Sequence, residues 1–354
     1  MQRSLAASML LAAVLSGGAR ADDPDAAATA ASLQQLLAAY DRADGGNTIP
    51  IEQAIIRLRD LRATPALVAI LGHARFGFLA AWALSEIGDT AADTAVVAAF
   101  KARSDTNARV AFALSVGAFT SADARTALRA EIKRTTGPEQ DAYRAALLRS
   151  RDATCEAEAL AALKGKDTAK CAATLLLVGD SRREDLLPRI AALAKDGRVV
   201  ASNQASSFGV VTVTKTPTGS SSSTAYPSLK TIGDFAVEAA SRCVSPTTPA
   251  MVAWWYETEI APRYPIGPEG TALLAATAVA LERAAKAKAR PMREAVGAVT
   301  QSVRAANADA KVQITGLAFS DRWEIRYRIG GGFGEAPGPE LTATVDGEGH
   351  VGVR

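Results

Sequence analysis

Leu84-Ser85-Glu86-Ile87-Gly88-Asp89 closes a helical pattern that returns at Leu175-Leu176-Leu177-Val178-Gly179-Asp180. Two weaker versions lie between them, Leu114-Ser115-Val116-Gly117 and Leu147-Leu148-Arg149-Ser150-Arg151-Asp152. Endings that recur about every thirty residues mark hairpins of two helices, each too small to bury its apolar face without its neighbours. Working outward, Phe76, Leu79, Ala80, Ala83, Leu84 and Ile87 fall on one face of a 3.6-residue period. Partner helices follow with Val96, Val97 and Phe100, then Val110, Ala113 and Leu114 against Leu128 and Ile132. Tyr143, Ala146 and Leu147 pair next with Leu160 and Leu163, and Leu175 and Val178 with Leu186, Leu187, Ile190 and Leu193. The Gly-Asp pairs at 88–89 and 179–180 both read as turns, because glycine tolerates positive φ after a helix and aspartate caps the next one.

The run Ala80-Ala81-Trp82-Ala83-Leu84-Ser85-Glu86-Ile87-Gly88-Asp89 resembles the short bacterial HEAT repeats that also occur in phycobilin lyases. The resemblance spans roughly residues 64–245 and implies an α-solenoid, without implying any chemistry. The expected fold is therefore mainly α, an α-solenoid of stacked antiparallel hairpins followed by a small C-terminal α+β meander. Residues 22–245 form the solenoid, 246–290 a helical linker region and 291–354 the C-terminal module. Within the solenoid, residues 197–229 carry Gly209-Val210-Val211-Thr212-Val213-Thr214, a Thr216-Pro217-Thr218-Gly219 turn and Ser220–Ser223. That Ser/Thr-rich stretch reads as an inserted β-hairpin or loop.

The tail changes period. Trp323, Ile325, Tyr327 and Ile329 alternate with Arg322, Glu324, Arg326 and Arg328, Val312 and Ile314 alternate before them, and Leu341, Ala343 and Val345 after. Strict alternation describes strands with one apolar and one polar face. Asp346-Gly347 marks the turn into Val351 and Val353.

At the other end, Arg3, the apolar run Leu5–Leu15 and Ala19-Arg20-Ala21 form a secretory leader, residues 1–21, with Asp22 as the first mature residue. The run is short of the ~20 residues of a membrane span. Export to the periplasm or outside the cell is the expectation, with no span left after cleavage. Losing Arg3 and Arg20 takes the 40 basic residues to 38 against 37 acidic ones, a net charge of +1. Such balance gives no electrostatic reason to expect nucleic acid. Cys155, Cys171 and Cys243 are too few and too far offset for a disulfide framework, and read as buried free thiols.

Catalytic patterns are missing. The chain has no H-E-x-x-H, C-x-x-C, G-x-S-x-G or S-x-x-K, and only His73 and His350. No metal, cofactor or catalytic residue is expected. Trp254-Trp255-Tyr256 is the notable cluster, since consecutive helical residues diverge by about 100° and cannot all face one core. An exposed aromatic there would anchor a protein partner, and Arg322, Arg326 and Arg328 would suit an acidic one. The functional expectation is an exported scaffold that binds protein. The alternative is a lyase- or chaperone-like protein handling a small ligand on the solenoid surface.

Overall fold

The computed structural model describes residues 61–200, 230–244, 268–306, 312–330 and 338–353. It also describes strand residues 214–216 and 219–221, Pro265, Ala310 and scattered positions between 33 and 58. The helical repeats form as the periodicity requires. Helix α1 (Thr64–Ile70), with Pro65 in its first turn, leads into α2 (Gly77–Ile87), α3 (Asp93–Ala102), α4 (Thr106–Ala118) and α5 (Ala122–Arg134). Then come α6 (Gly137–Arg149), α7 (Ala153–Leu163), α8 (Thr168–Ser181) and the short α9 (Leu187–Ala191). Helices α2, α4, α6 and α8 stack side by side in one layer, which α10 (Ile232–Val244) extends beyond α8. Helices α3, α5 and α7 form the other layer, each against the inner helix that follows it. No strand occurs among residues 64–196. Side-chain caps set the starts: Asp105, Ser121, Asp152 and Asp167 each accept a backbone N–H from the first turn of the following helix.

The inner helices are more enclosed than a one-faced stripe predicts. In α2, every residue from Leu79 to Ser85 is buried, Trp82 included. The sequence carries the reason, because 77–84 is apolar all round rather than on one side. Close backbone approach makes the layer tight. A Cβ at Gly117 would lie 2.2 Å from the Ala146 carbonyl oxygen on α6, and one at Gly179 would lie 2.8 Å from that of Ala239 on α10.

Gly179 corrects an expectation. Gly88 does end its helix in the left-handed region, φ 75°, and Asp89 caps the next turn. The matching Gly179-Asp180 is no turn: both residues lie inside α8, which runs to Ser181. Gly179 is there for contact with α10, as Gly117 is for contact with α6. The left-handed position falls instead on Arg182, φ 57°. Short motifs alone do not separate a helix-ending glycine from a helix-packing one.

The three thiols are free, with Cys171 and Cys243 buried and Cys155 half-buried. Burial pushes the Cys155 thiol up to about 11 and the Cys243 thiol higher still, so neither is a ready nucleophile. Part of the insertion forms an antiparallel hairpin, β1 (Thr214–Thr216) with β2 (Gly219–Ser221).

Helices α11 (Pro268–Ala287) and α12 (Met292–Ala306) precede an antiparallel meander of β3 (Val312–Phe319), β4 (Trp323–Ile329), β5 (Glu340–Val345) and β6 (Val351–Val353), in that order across the sheet. Trp323, Ile325 and Tyr327 are buried on one face while Glu324 and Arg326 are exposed on the other. Met292, Val296, Val299 and Val303 form the buried stripe of α12, and α11 lies along β3. One hydrophobic cluster runs unbroken from Leu148 and Leu175 in the stack to Trp323 and Val345 in the sheet. A second gathers Leu33, Leu67, Trp82, Phe112 and Tyr143 at the other end. No helix among the described residues is long and apolar enough to cross a membrane.

Candidate functional site

Two arrangements of charge stand out, one inside the stack and one on the sheet. The first centres on Glu86, the only charged residue of α2. Its Oε1 accepts from Arg149 Nη2 at the end of α6 (3.1 Å) and from Arg182 Nη1 just past α8 (3.0 Å). Arg293, near the start of α12, adds a guanidinium at 3.8 Å. Arg149 also donates to the Leu114 carbonyl of α4 at 3.2 Å. Side-chain exposure is 9% for Glu86, 7% for Arg149 and 2% for Arg182, so the pairs are desolvated. Neighbouring helices in a stack lie 8–10 Å apart. Contact between the first inner helix and the end of the fourth therefore means that these C-terminal ends converge sharply. The left-handed backbone at Arg182, unusual for a non-glycine residue, aims its side chain into this knot.

Around it, the Arg183 guanidinium binds the Leu148 carbonyl (3.0 Å), Glu156 (2.8 Å) and Asp185 (2.6 Å). Arg242 joins Asp180 (2.8 Å) to Glu238 (2.8 Å). Burial among other guanidiniums pushes Arg149 down to about 9, which leaves it charged at neutral pH. The nearby Glu86 carboxylate raises Arg293. Burial likewise raises Asp180 against the pull of Arg242. These groups brace one repeat against another.

Glu184 differs. Its two carboxyl oxygens accept the backbone N–H groups of Met292 (2.9 Å) and Arg293 (2.7 Å), tying the turn after α8 to the first turn of α12. Burial outweighs those bonds and pushes its carboxyl up to about 7. A carboxyl raised in the folded state binds more protons there than in the unfolded chain between pH ~4.5 and ~7. Its contribution to stability is therefore present in acid and lost as pH rises through that window. The expected result is that Glu184→Gln removes a fall in Tm between pH 5 and 7.5 that the parent chain shows. A shift of this size bounds the effect at about 3 kcal/mol, and partial exposure of Glu184 reduces it. Parallel melting curves for the two proteins across that range would contradict the assignment.

The second arrangement lies on the outward face of the sheet. A slot of about 300 Å³ runs between α11 and the polar faces of β3 and β4, lined by Glu269, Thr315, Gly316, Arg326, Arg328 and Glu340 among others. Arg326 reaches over Gly316, where a Cβ would come within 2.3 Å of its Nε. It stands 3.6 Å from Glu340. A depression of about 260 Å³ also lies between the first repeats, lined by Ser85, Asp93, Phe119 and Ser121 with four others. On the β5–β6 turn, His350 Nδ1 lies 2.9 Å from Asp346 and 3.4 Å from Glu348. Asp346 also accepts the N–H groups of Glu348 and His350, which holds its carboxyl low and closes the hairpin.

Of the residues singled out from sequence, Arg326 and Arg328 share the slot, while Arg322 does not. It sits before β4, about 20 Å along the strand direction from Arg328 at ~3.3 Å per residue, beside Asp321 at 3.2 Å. Trp254, Trp255 and Tyr256 lie outside the described residues. Sequence reading missed Glu86 and its arginines, although one acid within an all-apolar helix was a visible signal. It also missed Thr315 and Glu269, because their meeting depends on how α11 lies against β3. Compared with protein-family models, curated proteins and solved structures, the chain matches none of them.

Proposed function

We propose that this chain is a non-catalytic scaffold of the HEAT-repeat kind, exported from the cell, that holds a protein partner on its helical stack. The observation that carries the reading is where the charge is spent. Glu86, Arg149, Arg182, Arg183 and Arg242 all tie one repeat to another, so the stack is built for rigidity. Stiff stacked hairpins present a long preformed surface, which lowers the ordering cost of binding an extended partner. The depressions described, about 260 and 300 Å³, sit at or below the small end of ligand pockets, roughly 300–1,000 Å³.

Two measurements test it. N-terminal sequencing of the protein from the cell envelope is expected to begin at Asp22, as the Ala19-Arg20-Ala21 pattern dictates; a chain that keeps Met1 in the cytoplasm overturns export. Capture by the mature chain, followed by titration of each purified captured protein, is expected to give a one-to-one complex at micromolar Kd or tighter. A mature chain whose captured proteins all fail to bind when purified refutes the scaffold.

A further inference from the structure

We infer that one edge of the stack, where each outer helix hands over to the next inner one, docks an extended acidic segment of a protein partner along a row of four lysines. The inference rests on the scaffold reading above and names the chemistry of what the scaffold holds.

Lys101 lies in the last turn of α3, Lys133 in the last turn of α5, Lys164 just past α7 and Lys195 at the end of the turn that follows α9. They recur every 31 or 32 residues, one per hairpin. All four are exposed, and none has an ion pair or hydrogen bond with any described residue. The packing sets them in line, because each precedes one of α4, α6, α8 and α10, which follow one another across the inner layer. Neighbouring turns touch: Arg109 in the first turn of α4 pairs with Glu131 in the last turn of α5. Arg198, just beyond Lys195, donates to the Gly165 carbonyl, just beyond Lys164, at 3.1 Å. The helix dipole alone does not produce this row. It favours a cation at every helix C-terminus, yet α2, α4 and α8 have no basic residue in the last turn and α6 has only the buried Arg149.

Four uncompensated cations in line call for an anion, and their spacing chooses its kind. Adjacent helices put neighbouring lysines about 10 Å apart, which matches every third residue of an extended chain at ~3.3 Å per residue. A segment of about ten residues with an aspartate or glutamate at every third position would place one carboxylate on each lysine. A nucleic-acid strand carries a charge about every 3.4 Å, so the row would meet roughly one phosphate in three. No aromatic residue occurs in the four turns to stack a base. Lysine fits the role, since its ammonium is a mobile point charge that meets a carboxylate without the fixed fork of arginine. Lys166 and Lys170, also exposed and without an ion pair among the described residues, thicken the row at its third turn.

The test uses the full mature chain and fluorescence polarisation at low salt with three labelled probes. They are a capped twelve-residue peptide of repeated Asp-Gly-Ser, a peptide of the same composition with its four aspartates consecutive, and a twelve-nucleotide DNA strand. The spaced peptide is expected to bind at submillimolar Kd, and to weaken as salt is raised. The consecutive peptide is expected to bind about threefold more weakly or worse, because its charges reach only one or two lysines. Replacing the row together (Lys101→Gln, Lys133→Gln, Lys164→Gln and Lys195→Gln) is expected to cost the spaced peptide about tenfold or more with Tm unchanged, as four exposed pairs acting jointly would give. Lysines that served only the helix dipoles would lower Tm and leave binding unmoved. Failure of the spaced peptide to bind, equal affinity in the quadruple variant, or binding of the consecutive peptide or the DNA as tight as that of the spaced peptide overturns the inference. Captured partners that bind the quadruple variant as well as the parent chain overturn it too and leave the scaffold reading standing; that reading falls only when no captured protein binds the parent.

Discussion

Glu86→Ala is expected to lower the unfolding free energy by about 3–5 kcal/mol, the usual result of removing one partner from a buried ion pair. Its carboxylate faces the guanidiniums of Arg149, Arg182 and Arg293. Without it those charges remain out of water and repel one another. Glu86→Gln keeps an acceptor oxygen but not the charge, so most of the loss remains. Adding Arg149→Met to Glu86→Ala is expected to return part of it, because a buried charge then leaves with its partner. Urea unfolding of the four proteins measures this, and a loss under about 1 kcal/mol for Glu86→Ala would mean that water reaches the knot.

Gly117→Ala is expected to destabilise by about 2–3 kcal/mol or more, in the range of overpacked cores. In an exposed helix interior the same change would stabilise by about 1 kcal/mol, since alanine is the better helix former. Here the new methyl would meet Ala146 backbone atoms at 2.2, 2.7 and 2.8 Å, and backbone cannot swing aside as a side chain can. Gly297→Ala provides the opposite sign. Gly297 lies inside α12, where an added methyl would find nothing within 4 Å, and its replacement is expected to raise Tm. Equal shifts for the two variants would show that α4 and α6 part more readily than their contact implies.

The layered helices and the meander were legible because their signals are local. Periods of 3.6 and 2 residues, aspartates before helices and Gly88 after one each need only a short window. Gly179 shows where that window fails: its neighbours match those of Gly88, but its role depends on α10, some sixty residues on. Glu86 fails for the same reason, since its arginines come from α6, the turn after α8 and α12. The slot was half legible. Alternation placed Arg326 and Arg328 on one face, whereas Thr315 entered it through a bulge and Glu269 through the lie of α11 against β3, neither of which leaves a sequence mark.

The bonds at Glu86 also order events in time. They join positions 63 and 96 residues apart, and the third guanidinium arrives only with α12, so loop closure delays this centre until most of the chain is present. Hairpins can nucleate early and separately, and the long-range bonds at Glu86 are expected to close after them. A chain stopped at Val244 would assemble its rows of helices and still lack Arg293 and the Glu184 tether, leaving it open to proteases at the corner where the finished molecule is most firmly shut.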